Sequence, residues 1–196
     1  MRRGDDAVTE KHSVGKKIRQ LREAKRLTVQ ELAERSQISR KLVEELEADE
    51  LVSSIAPLLK IARGLGVQLS TFLDDAPTPG AAIVRGGRSE TAVEFSGLGP
   101  YCLSTLDFHP LAKNKQGRHM EPFIVDVHSS VPEDFTMSFH EGEEFIYVLA
   151  GEIEVLYGND RHLLAVGDSI YYDSTTPHQV QASGEKDAKI LAVIYA

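Results

Sequence analysis

His140, Glu144 and His178 are two imidazoles and one carboxylate that a fold could gather around one cation. The first two lie in Ser138-Phe139-His140-Glu141-Gly142-Glu143-Glu144, and the third follows Pro177. Two nitrogens and one oxygen suit a divalent metal and leave coordination positions open, as in non-haem iron centres. The other reading of the same residues is a polar wall around an organic ligand, with no metal. Glu141-Gly142 offers a turn or bulge that lets His140 and Glu144 both point inward. Pro177 fixes φ just before His178 and stiffens its approach. The ligands come from two well-separated blocks, so only a fold that returns the chain to one place can assemble them.

The sequence around these residues has strand texture. Phe123, Val125 and Val127 alternate, as do Phe145, Tyr147 and Leu149, then Ile153, Val155 and Tyr157. Ile170 and Tyr172, Val180, and the run from Ile190 to Tyr195 continue it. Many short strands punctuated by Gly and Asp predict a β-sandwich or barrel. Strand alternation turns Glu143 away from Glu144. Tyr147, Tyr171 and Tyr172 read as wall or core residues, and His109, His119, His128 and His162 as loop or peripheral histidines.

The first third reads differently. Val14, Ile18 and Leu21 share one helical face. Thr28 with Glu31 is a capping-box signal for a second helix. Ser39 is the N-cap expected for a third, with Leu42 and Leu46 inward and Arg40, Lys41 and Glu44 outward. A fourth helix is expected from about Ser54 to Arg63, and a short fifth carries Leu69, Phe72 and Leu73. Five short helices with a tight second-to-third connection predict a helix-turn-helix domain. Residues 14–75 are assigned to it. Residues 76–99, rich in Pro and Gly, are a linker leading into a β domain over 100–196. The expected fold class is therefore α+β with two domains.

The formal net charge is -8. Residues 1–43 nevertheless carry 12 Lys or Arg against 6 Asp or Glu, a balance of +6. Residues 44–80 stand at -5 and residues 81–196 at -9. Phosphate is therefore attracted only by the first segment. The acidic run from Glu44 to Glu50 would face DNA and oppose it. No apolar run reaches membrane-spanning length, so no membrane partner is expected. The single cysteine, Cys102, and the lack of an apolar leader fit a cytoplasmic protein.

Two resemblances sharpen these expectations. The blocks Ile18-Arg19-Gln20-Leu21-Arg22-Glu23, Leu27 to Ala33, Ile38-Ser39 and Leu46-Glu47 resemble the phage-repressor-like, or XRE, helix-turn-helix family. The resemblance implies that the third helix enters the major groove of a double-stranded DNA operator. It places Gln30, Ser39, Arg40, Lys41 and Glu44 at DNA-contacting positions. Asp49-Glu50 stands where that family commonly has a glycine. The patterns Ser138-x-His140-x3-Glu144-x6-Gly151 and Gly167-Asp168-x8-Pro177-His178 resemble the two cupin motifs. This implies a double-stranded β-helix and a centre holding Fe, Mn, Ni or Zn on His140, Glu144 and His178. Ser138 stands where the family commonly has a further histidine.

The combined architecture resembles bacterial regulators whose cupin domain senses a small-molecule or metal effector and forms a homodimer or higher homo-oligomer. On that reading the chain is a transcriptional regulator with no catalytic residues, rather than an enzyme. The architecture also resembles the mononuclear iron epoxidases of hydroxyalkylphosphonates, which lack the same first histidine. That resemblance implies a non-haem iron oxidase or epoxidase acting on a small, phosphonate-like substrate. Ser138 and Tyr101 are then ligand-pocket residues, Tyr101 matching a substrate-binding tyrosine.

Overall fold

A computed structural model describes residues 13–49, 55–74, 79–85, 93–94, 106–129 and 137–195. It shows a two-domain α+β chain, helical first and then built of sheets. The helices are α1 (Val14–Ala24), α2 (Val29–Ser36), α3 (Arg40–Glu47), α4 (Ala56–Leu65) and α5 (Ser70–Leu73). Their starts follow the capping chemistry of the sequence. Ser13 accepts from the Lys16 amide, Thr28 and Glu31 form a reciprocal capping box, and Ser39 accepts from the Leu42 amide. Ile18, Leu32, Val43, Leu46, Leu58, Ile61, Leu65 and Phe72 form the buried centre of this domain. Val43 and Leu46 are the fully buried apolar residues of α3, whereas Leu42, expected inward, is only half-buried.

The acidic run that ends α3 does not all face outward. Glu47 is buried and receives Arg22 Nη2 at 2.9 Å and Arg19 Nε at 3.3 Å. Asp49 takes a left-handed φ of 55°. Its carboxylate accepts from the Gly15 amide at 2.7 Å and from the Ser13 hydroxyl. Two of the run's charges therefore tie α3 back to α1. Asp49 serves as the positive-φ residue because Asp tolerates that region better than most side chains.

The strands are β1 (Val93–Glu94), β2 (Leu106–Pro110), β3 (Met120–Val127), β4 (Glu143–Ala150), β5 (Ile153–Tyr157), β6 (Asp160–Leu164), β7 (Ser169–Asp173), β8 (His178–Ala182) and β9 (Ala188–Tyr195). One antiparallel sheet has the order β1-β2-β3-β9-β4-β7, and a second has β6-β5-β8. Among the described residues no strand ladder closes the two into a barrel, so the expected closed β-helix is seen as two sheets. Phe123, Val125, Val127, Ile146, Val148, Ile153, Val155, Ile190 and Ile194 fill the core with the period of two set by the pleat. The β4–β5 turn needs Gly151. Its φ is +72°, and a Cβ there would lie 2.8 Å from the Ala188 Cα.

A buried charge cluster fastens the helical domain to the sheets. Arg118, just before β3, pairs with Asp74 after α5 and donates from Nε to Glu121 at 2.7 Å. All three side chains are about 5% exposed. Burial pushes the Glu121 carboxyl up, and the Arg118 guanidinium only partly draws it back. Lys17 of α1 donates to the Asp74 carbonyl at 2.7 Å, which ties the first helix to the same corner. No helix among the described residues is long and apolar enough to cross a membrane.

Candidate metal centre

The two sequence blocks converge. His140, Glu144 and His178 are all buried, and their ligand atoms lie within 4.8 Å of one another. The turn expected at Glu141-Gly142 is present, with Gly142 at φ 100°. It reverses the chain so that Glu144 enters β4 on the face that also carries Ile146 and Val148. His178 opens β8 in phase with the inward Val180 and Ala182. Ser174 locks the two blocks together. Its carbonyl accepts from the His140 amide at 3.1 Å, and its amide donates to the Gly142 carbonyl at 2.9 Å.

The hydrogen bonds define the state of both rings. His140 Nδ1 lies 2.9 Å from the Glu141 carbonyl, and His178 Nδ1 lies 2.9 Å from the Thr176 carbonyl. A carbonyl only accepts, so each Nδ1 carries the hydrogen and each Nε2 is left to face inward. His140 Nε2 is 2.7 Å and His178 Nε2 3.3 Å from Glu144 Oε1. Three lone-pair donors converging in a buried site need a cation, a proton or a metal ion, between them. Neighbouring ligands at about 2.1 Å and near right angles around a metal are about 3.0 Å apart, close to the observed spacings. The residues therefore fit a divalent metal held by two nitrogens and one oxygen.

The surroundings support that charge balance. Burial pushes the Glu144 carboxyl up, but the facing His140 and His178 more than offset this and hold it well below the ordinary carboxylate range. For His178 burial works the other way, and the Glu144 carboxylate overcomes it, so the imidazole is raised above its ordinary value. Tyr172 donates its hydroxyl to Glu144 Oε2 at 2.8 Å. Burial, then the nearby Glu144 charge, keep the phenol protonated far past its ordinary range. Its ring also packs against His178, with centroids 5.0 Å apart. Ser174 Oγ lies 3.4 Å from Glu144 Oε1. Each of the three ligands thus has an outer partner that orients it.

Tyr172 and Ser174 touch the triad, and sequence reasoning did not place them there. The signal for Tyr172 was present in its alternation with Ile170, but only the β4–β7 register sets it opposite Glu144. Nothing local marks Ser174. Ser138 pairs with His178 by two backbone hydrogen bonds, at 2.8 and 2.9 Å. Residues directly opposite in an antiparallel pair point to one side, which places Ser138 beside the centre. Tyr101 lies outside the described residues. Glu143 is half-buried and accepts from the Tyr171 hydroxyl, apart from the triad.

The residues expected at a DNA surface stay together on α2 and α3. Gln30 is exposed and donates to Glu34 at 2.8 Å. Ser39 caps α3. Arg40 pairs with Glu44 at 2.8 Å and Lys41 with Glu45 at 3.3 Å, one helical turn on in each case.

Residues 127–194 match the family described as Cupin domain, and residues 13–71 match a Helix-turn-helix domain family. Over 92 residues the chain is 34% identical to the (S)-2-hydroxypropylphosphonic acid epoxidase of Streptomyces wedmorensis, 44% of this chain and 46% of that protein. The alignment spans less than half of that relative's length. A second relative is the HTH-type transcriptional regulator SutR of Escherichia coli (strain K12), 22% identical over 178 residues, 91% of this chain and 92% of that one. An HTH_3 family transcriptional regulator from Vibrio cholerae has a similar fold, with a TM-score of 0.68, 22% identity, and coverage of 94% of this chain and 96% of that one.

The expectation that the chain is not an enzyme is corrected by these findings. The centre is a buried two-histidine, one-carboxylate triad, and the matched relative with the higher identity is an epoxidase. The chain joins an N-terminal helix-turn-helix regulator-like domain to a C-terminal cupin-like domain that carries a buried His/His/Glu cluster able to coordinate a divalent metal.

Proposed function

We propose that the chain is a mononuclear non-haem metal enzyme acting on a small organic substrate, with hydroxyalkylphosphonates the class to offer first. One observation carries the proposal. Both imidazoles are fixed with Nδ1–H on backbone carbonyls and Nε2 toward Glu144, in a site almost closed to water. Iron held by His140, Glu144 and His178 would supply oxidative chemistry at its open positions. Glu144 contributes the negative charge that offsets the cation. Tyr172 keeps its proton and holds Oε2, which leaves Oε1 toward the histidines. The 34% identity to the epoxidase over 92 residues supports the substrate class.

The test is anaerobic loading with Fe(II), then addition of (S)-2-hydroxypropylphosphonate with dioxygen or hydrogen peroxide. Phosphorus NMR should show a new phosphonate from the wild type and none from Glu144→Ala. Equal conversion by both proteins, or none across a panel of hydroxyalkylphosphonates, would count against the proposal.

A second reading is operator binding by α2 and α3, and the arrangement of α3 favours it. Arg40 and Lys41 are exposed at the start of a capped helix, while Glu47 is buried and Asp49, itself exposed, is held by hydrogen bonds to Ser13 and Gly15. On this reading Gln30, Ser39, Arg40, Lys41 and Glu44 face DNA. The pairing of Arg40 and Lys41 with glutamates must then be exchanged for phosphate or base contacts. Selection of genomic fragments by the purified chain should yield an enriched sequence that Arg40→Ala loses. A base-reading arginine would be worth about 1–3 kcal/mol of discrimination. No enrichment, with or without metal, would end this reading.

A homodimer would double such a surface. The outer face of the six-stranded sheet, with Met120, Tyr147, Leu149, Tyr171 and Tyr195 exposed, is where we place its contact. We also read the two sheets as the halves of a cupin double-stranded β-helix.

A further inference from the structure

His140 is flanked by two residues that α4 holds. Lys60 Nζ sits 4.2 Å from the centroid of the Phe139 ring, within cation–π range. Arg63 is ion-paired with the Glu141 carboxylate. Lys60 and Arg63 are three residues apart on α4 and so share one face. Glu141 also offers the backbone carbonyl that accepts from His140 Nδ1 at 2.9 Å and fixes the ring. The side chain of Glu141 thus answers to the helical domain while its carbonyl answers to the metal ligand. Burial lowers the Lys60 ammonium below its ordinary value, consistent with an amine drawn against the ring.

The route continues inward. Gly64, next to Arg63, lies so close to α2 that a Cβ there would sit 2.1 Å from Ser36 Oγ. α4 is therefore packed against α2 without slack.

We infer that Lys60 and Arg63 are positioning residues of the metal centre, setting the orientation of His140 through Phe139 and Glu141. The helical domain then supplies part of the outer shell of a site whose ligands all lie in the sheet domain. Outer-shell partners commonly tune metal affinity, so the contribution is read in affinity. Coupling of this kind is reciprocal, so a cation on the triad stabilises the α4 position seen here, and a partner that moves α2 or α4 alters cation affinity. The inference rests on the metal-binding reading of the triad.

The test is titration of the full chain with Co(II), followed by its visible absorption band. The Lys60→Ala, Arg63→Ala double variant should bind Co(II) about fivefold more weakly, the scale of one exposed ion pair plus one cation–π contact. The metal-free double variant should still unfold in one cooperative transition, its midpoint lowered only by the small worth of those two contacts. Arg63→Glu should weaken binding, and Arg63→Glu with Glu141→Arg should restore it, which a merely structural role for Arg63 would not produce. A double variant within twofold of wild type, or a charge swap that restores nothing, would overturn the inference. Failure of the wild type itself to bind Co(II) would instead overturn the metal reading on which it rests.

Discussion

His140→Ala should lower the bound divalent metal from about one per chain to background. A cation would be held by the three donors of the triad, and His140 Nε2 makes the shortest contact to Glu144, 2.7 Å. Losing it leaves one imidazole and one carboxylate, too few to hold a metal against water. Loss of an outer-shell partner alone costs about 10–100-fold in affinity, so loss of a ligand should exceed that. The check is elemental analysis after loading and dialysis, with the unfolding midpoint of the metal-free variant measured beside it. Metal content equal to wild type would show that the ion sits elsewhere.

Arg118→Ala should cost about 3–5 kcal/mol of stability, the scale expected when one partner of a buried ion cluster is removed. Asp74 and Glu121 would remain as two carboxylates, each about 5% exposed, facing the space the guanidinium filled. Burial already pushes Glu121 up with Arg118 present, so its protonation would relieve only part of the strain. Asp74 belongs to the end of the helical domain and Glu121 to β3, so the variant should also loosen one domain from the other. Urea unfolding should show a lower midpoint and a separated first transition. A loss under about 1 kcal/mol with a single transition would mean the cluster is incidental to the junction.

Much of this architecture was legible from local chemistry. Thr28 with Glu31, and Ser39, announced helix starts because a side-chain oxygen must satisfy an amide left open at a helix N-terminus. The period of two from Phe123 to Val127 announced its strand. His140, Glu144 and His178 were legible because few residue sets suit a transition metal, and Gly142 supplied the turn that joins the first two.

What stayed hidden depends on register and distance. Tyr172 reads as any inward aromatic until β7 is set beside β4. Glu47 reads as a surface charge, and the hydrogen bond from Gly15 to Asp49 is invisible, until α1 is folded against α3. Arg118 and Asp74 are far apart in the chain, and no periodicity links them. The grip of α4 on the residues beside His140 is invisible for the same reason.

Whether the triad holds one metal ion with positions open to a substrate is measured most directly by electron paramagnetic resonance of the Fe(II)-loaded chain exposed to nitric oxide without oxygen, before and after adding (S)-2-hydroxypropylphosphonate. The expected result is a paramagnetic iron-nitrosyl signal of about one per chain, a changed line shape once the phosphonate is added, and no signal from His140→Ala. A wild type that gives no such signal, or a signal of equal strength in His140→Ala, would contradict it.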